Sequence, residues 1–211
     1  MPDWKKLIEG KIALAKRGAA PGRLHANTRV PPGQTLVTNF PVLDLGVQPD
    51  VPLERWTLRI HGEVATEVRL DWDALQAMPQ VEDISDFHCV TRWSQLDLPW
   101  GGVLARDVLA LASPLPSARY VALLGYDGYT TNLPLDALLD DDVLVAHRVF
   151  GAPLSKAHGG PVRLVVPKRY AWKSPKWLKA IELRADDKPG FWEERGYHDQ
   201  ADPWKEERFS G

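Results

Sequence analysis

Asp86-Phe87-His88-Cys89-Val90-Thr91-Arg92-Trp93-Ser94 holds the only cysteine of a 211-residue chain. Residues 81–90 alternate loosely enough to read as a strand that delivers Cys89 at its end, and the polar residues 91–98 read as a loop beyond it. A second stretch answers the first. His158-Gly159-Gly160-Pro161-Val162-Arg163 leads into residues 168–179, and from Arg163 to Ile181 there are six cations (Arg163, Lys168, Arg169, Lys173, Lys176, Lys179) and no acid. Gly159-Gly160 lets backbone approach a ligand closely, and Arg163 can fork onto phosphate oxygens.

Outward from these two stretches, strands and short helices alternate irregularly and without internal repeats, which predicts a mixed α+β domain. Residues 3–17 read as an amphipathic helix with Leu7, Ile8, Ile12 and Ala15 on one face, expected to dock on the domain. Residues 19–52 are dense in proline and glycine and read as a long loop. Strands are expected at 56–60 and 67–70, then a short helix capped by Asp71 and ended at Met78-Pro79. Pro99-Trp100-Gly101-Gly102 is read as opening a helix over 103–111. Further strands are expected at 119–124, 129–133, 143–150, 162–166 and 178–183, with a helix over 135–139. The tail, 189–211, mixes charges with Phe191, Trp192, Tyr197, Trp204 and Phe209 and reads as a segment wrapped on the surface. The expected organisation is an N-terminal helix and loop (1–34), a central domain (35–185) and a C-terminal extension (186–211).

With 26 basic and 28 acidic residues and a formal charge of -2, the chain has no global field that draws it to nucleic acid or acidic lipid. An anion site must be local. One cysteine closes no intrachain disulfide, and no Cys/His cluster has the spacing of structural zinc. The first residues lack the order of a secretory signal and no apolar run has the length of a membrane span, so a cytoplasmic protein is expected. The nine tryptophans are expected mostly in the core or at its edge.

A single cysteine is most often a small buried hydrophobe. Here His88 and Arg92 are cationic neighbours that favour a thiolate, which can attack carbon or ligate a metal. The cationic stretch has a bland alternative too, a solvated basic hairpin face. The triplet Asp140-Asp141-Asp142 reads as a solvated turn, with a hard-cation site as the lesser reading.

Taken together, His88-Cys89-Val90-Thr91-Arg92-Trp93-Ser94 with Pro99-Trp100-Gly101-Gly102, and residues 158–167 with Lys173-Ser174-Pro175-Lys176-Trp177-Leu178, resemble the molybdopterin-binding domain of sulfite oxidase-type enzymes over about residues 35–184. The resemblance implies the mixed-sheet α+β fold of that family and a molybdenum ion held by one molybdopterin and one protein thiolate, which falls on Cys89. It implies pterin and phosphate contacts at His158, Arg163, Ser174 and Lys176, with Lys173 a further donor. Thr38-Asn39-Phe40 matches a segment that touches the pterin in the sulfoxide-reducing relatives. Arg92 flanks the ligand as a candidate for the catalytic cavity. Candidates for binding a substrate anion are Arg23, His25, Arg29 and Tyr126, and Trp93, Trp100 and Tyr129 are candidate rings near the metal.

The function expected from the resemblance is two-electron oxygen-atom transfer to or from a small sulfur or nitrogen oxo compound. Electrons would be exchanged with a separate partner, because no haem or iron-sulfur ligand pattern occurs. The alternatives are a non-catalytic module that binds or stores the pterin, and a thiol enzyme with Cys89 as nucleophile and His88 or His158 as base.

Overall fold

A computed structural model of the chain describes residues 4–16 and 29–210. The first helix, α1, runs over Trp4–Lys16. Then follow β1 (Thr35–Leu36), β2 (Thr57–Gly62), β3 (Val68–Asp71), α2 (Trp72–Ala77), β4 (Val81–His88), β5 (Trp93–Leu104) and α3 (Ala105–Ala110). The remaining strands are β6 (Tyr120–Gly125), β7 (Thr130–Pro134), β8 (Leu144–Val149), β9 (Ala152–Pro153), β10 (Arg163–Val165) and β11 (Leu178–Arg184). Asp71 caps α2 as expected, its carboxylate accepting from the Ala74 N–H at 2.8 Å.

The strands form two mixed sheets, and the fold is mixed α+β. One sheet runs β1-β5-β8-β10, with β4 paired to β5 and β9 to β8; the other runs β3-β2-β11-β6-β7. Parallel pairs join β1 to β5 and β11 to β2, and the other pairs are antiparallel. Apolar residues of β2, β6 and β11 (Leu58, Ile60, Val121, Leu123, Ile181, Leu183) meet Val145 of β8, Leu164 of β10 and Val108 and Leu109 of α3 in one buried core. Trp56 is sealed in it, and its Nε1 donates to the Leu178 carbonyl at 3.2 Å, which satisfies the one polar atom of the ring.

Two expectations fail between 91 and 111. Residues expected as a polar loop and a helix start are one long strand, β5, and α3 begins only at Ala105. The polar residues mislead because Ser94 and Gln95 are buried in the sheet, opposite His88 and Phe87 of β4. The glycines mislead because they mark close approach of backbones. A Cβ at Gly102 would sit 2.3 Å from the Val145 carbonyl oxygen, and the β5–β8 register shifts between Gly101 and Gly102. The helix expected at 135–139 is a 3-10 turn, Leu135–Leu138.

A second, largely aromatic core lies apart from the first. Cys89, Val90, Tyr129, Tyr170 and Trp172 meet Trp192 and Tyr197 of the tail, and Ile8, Ile12 and Ala15 of α1 pack against them. The two ends of the described chain thus cover the wall that holds the cysteine.

Candidate functional site

Cys89 follows the last residue of β4, and a tight loop returns the chain into β5. The Cys89 N–H donates to the Trp93 carbonyl at 2.9 Å and the Cys89 carbonyl accepts from the Arg92 N–H at 3.0 Å. Arg92 closes this turn in the left-handed region, with φ of 73°. Gln34 Nε2 also donates to the Cys89 carbonyl, and Arg208 Nη1 to the Val90 carbonyl. The sulfur is therefore fixed by its backbone on three sides. Its side chain faces a cavity, 7 % exposed, with Thr91 Oγ1 3.1 Å from Sγ. Burial raises the thiol pKa, and the Thr91 bonds offset this only in part.

The expected cationic help comes from elsewhere. His88 points to the other side of the strand, with Nδ1 2.8 Å from Ser94 Oγ and its ring edge-on to Trp204. Burial brings its pKa down to about 4, so it is neutral. The Arg92 guanidinium lies toward Gly33, Glu206 and Arg208, outside the cavity wall.

The cationic stretch meets Cys89 across the cavity, which Phe40, Cys89, His158, Arg163, Ser174 and Lys176 all line. Arg163 is 2 % exposed. Its guanidinium donates to the His158 carbonyl at 3.0 Å and the Ser174 carbonyl at 2.9 Å and lies over the rings of Phe87 and Trp100. Among the described residues no carboxylate is within ion-pair distance of it, and burial alone lowers its pKa to about 9. Lys176 is also depressed, to about 7, by burial first and then by Arg163. Its ammonium donates to the Ala157 carbonyl. Gly159, at φ +100°, packs so closely on Lys176 that a Cβ there would lie 2.8 Å from the lysine Cβ. Ser174 Oγ accepts from the Val166 N–H at 2.9 Å, which leaves its proton free to donate into the cavity. The His158 ring stacks on Phe40, 4.2 Å between centroids and 8° between planes.

The structure does not bring every expected residue to this place. Lys173 is fully buried, its ammonium spent on Glu193, the Asn132 carbonyl and Asn132 Oδ1. Thr38 and Asn39 are exposed and do not line the cavity, unlike their neighbour Phe40. Lys168 pairs with Asp140 at 3.0 Å and Asp142 at 3.5 Å on the surface. Arg29 forks onto Asp86 and also reaches Asp97. The Tyr126 hydroxyl donates to the Thr57 carbonyl at 2.9 Å and accepts from the Thr57 N–H at 2.8 Å. Arg23 and His25 lie outside the described residues. Of the three rings expected near the metal, Trp93 and Tyr129 line the cavity, and Trp100 lies behind Arg163.

Other lining residues carry no local sequence signal. Lys11 enters from α1, Asp44 from the loop before β2, and Trp192 and Tyr197 from the tail. The tail, read from its mix of charges and aromatics as a surface wrap, instead buries Trp192 and Tyr197 against Cys89.

The two-sheet α+β domain thus sets a buried thiol across a cavity from a buried guanidinium that has no carboxylate partner among the described residues. The chain belongs to the family described as the oxidoreductase molybdopterin binding domain, which matches residues 45–192. It is 44 % identical over 186 residues to the uncharacterized oxidoreductase YuiH of Bacillus subtilis (strain 168), covering 86 % of this chain and 92 % of that protein. The crystal structure of the sulfane dehydrogenase SoxCD from Paracoccus pantotrophus shares the fold, with a TM-score of 0.61 at 21 % identity. That likeness covers 66 % of this chain and 40 % of the other.

Proposed function

We propose that the chain is a molybdenum-cofactor oxidoreductase of sulfite oxidase type, with Cys89 the protein ligand to the metal and one molybdopterin held across the cavity. It moves an oxygen atom to or from a small sulfur or nitrogen oxo compound. The observation that carries this reading is Arg163, a guanidinium 2 % exposed with carbonyl and ring partners only, opening on the cavity that Cys89 faces. A buried cation needs a counter-charge, and a phosphate supplies one. A thiol raised by burial needs a cation to ionise it, and a bound metal supplies that.

The residues present fit the group. Arg163, Lys176 and the Ser174 hydroxyl are donors for the phosphate, His158 and Phe40 offer a ring face and edge for the pterin, and Cys89 offers one soft sulfur for the metal. When bound, the group supplies two-electron redox chemistry suited to oxygen-atom transfer. The chain's share is to fix Sγ through the backbone bonds of its loop, to neutralise the phosphate, and to restrict water at the Cys89 end with Trp93, Trp172, Trp192 and Tyr197. A separate redox partner exchanges the electrons, and the cytoplasm is the proposed compartment.

A thiol-nucleophile enzyme finds less support. Among the described residues Sγ is hydrogen-bonded only to Thr91, through its hydroxyl and its backbone, while His88 is bonded to Ser94 and His158 is stacked on Phe40.

Metal analysis of protein made in a cofactor-competent host tests the reading. About one molybdenum per chain, lost in Cys89→Ser, is expected. A metal-free protein would sink it. Molybdenum bound without dye-coupled turnover of sulfite, a sulfoxide or an N-oxide would identify a storage module instead.

A further inference from the structure

Three cationic side chains of lysine or arginine line the cavity among the described residues: Arg163, Lys176 and Lys11. The first two are anchored on the carbonyls of 157, 158 and 174. Lys11 comes instead from α1, whose Ile8, Ile12 and Ala15 pack in the aromatic cluster that contains Cys89 and Tyr197. The helix is held at two further points. Leu7 Cδ1 lies against Gly46, where a Cβ would come within 3.3 Å, and the Lys16 ammonium sits over the Phe209 ring at 5.5 Å. The seat of Lys11 is thus built by packing.

Its ammonium has no hydrogen bond or ion pair among the described residues. The carboxylate that acts on it, Asp44, is already engaged by the Gly46 N–H and Gln48 Nε2, each at 2.8 Å. Lys11 and Cys89 line the same cavity.

We propose that Lys11 is a specificity residue, a cation placed by α1 at the Cys89 end of the cavity to favour anionic over neutral oxo substrates; this rests on the molybdenum reading above. An oxoanion gains a charge-assisted hydrogen bond from a half-buried, unpaired ammonium, and a neutral sulfoxide gains far less. Phosphate and substrate are thereby served by different cations. Arg163 and Lys176 neutralise the cofactor, and Lys11 is left for the reactant.

The test titrates inorganic sulfate, an inert oxoanion, into molybdenum-loaded protein by calorimetry, with metal content measured on the same samples. Lys11→Gln is expected to raise the Kd for sulfate at least about tenfold, the size expected for removing one charged partner from a desolvated pair. Lys11→Arg, and Lys5→Gln on the exposed side of the same helix, are expected to stay within about threefold of wild type on the same scale. Failure of the wild-type holoprotein to bind sulfate overturns the inference, and so does an equal Kd in Lys11→Gln. A loss of molybdenum in Lys11→Gln also overturns it, by placing Lys11 in the cofactor cradle. Absence of molybdenum from the wild type overturns both this inference and the reading beneath it.

Discussion

Lys173 Nζ lies 2.6 Å from Glu193 Oε1, with both side chains sealed from solvent. Glu193 also accepts from Thr131 Oγ1, Trp172 Nε1 and the Gly190 N–H. The pair fastens the tail to the strand-bearing body under the cavity. Breaking it by Glu193→Leu leaves a buried ammonium uncompensated, an expected loss of about 3–5 kcal/mol. The double variant Lys173→Met, Glu193→Leu is expected to recover much of that loss. Urea midpoints of the three proteins check both outcomes.

Arg163 has the opposite logic. It has carbonyl and ring partners but no counter-charge, so Arg163→Met is expected to leave the cofactor-free protein at least as stable as wild type while molybdenum occupancy falls about tenfold or more. Metal content and thermal midpoints of the two apo proteins test the pair of outcomes. A variant that unfolds while apo would show that Arg163 holds the fold together.

Lys176 gives the apo protein an alkaline signature. Its folded pKa of about 7 lies below the ordinary 10.5, so the unfolded chain holds more protons between those values. Stability must then rise as pH increases from 7 toward 10, by on the order of 1–2 kcal/mol after solvent screening. Lys176→Met is expected to flatten that slope, as measured by urea unfolding at pH 7 and pH 9.5. Burial sets most of the effect, Arg163 and Lys11 push the lysine further down, and Asp44 and Asp127 pull it up.

On the acid side the slope has the same sign, with a histidine as its source. His147 is 3 % exposed, its Nε2 2.8 Å from Gln80 Oε1, and burial brings its pKa down to about 4. The unfolded chain binds this proton below about 6.5, the folded chain only near 4, so stability is lost as pH falls between them. His147→Gln is expected to remove on the order of 2–3 kcal/mol of that loss. Unfolding curves at pH 6.5 and pH 4.5 measure it.

The two stretches that meet at the cavity, around Cys89 and from His158 to Lys176, were legible because each carries its chemistry within a few consecutive residues. Within the cationic run, however, sequence cannot separate Lys173 from Lys176. The first points into the core to meet Glu193 and the second into the cavity, and that difference is set by a 3-10 turn at Ala171–Lys173. The long strand β5 was hidden because its buried polar residues and its paired glycines imitate a loop and a helix start. Lys11, Trp192 and Tyr197 were illegible as a group for a simpler reason, since they reach Cys89 from far along the chain and spacing says nothing of such contacts.

Gln34 and Arg208 clamp the same loop from either side, and Arg208 reaches Val90 across 118 positions. During synthesis the loop that bears Cys89 leaves the ribosome long before residue 208 does. Until then the sulfur's loop lacks one of its two clamps, and the aromatic wall supplied by Trp192 and Tyr197 is missing. The order of translation therefore leaves an interval in which the sulfur side of the cavity is open, and it closes that side last.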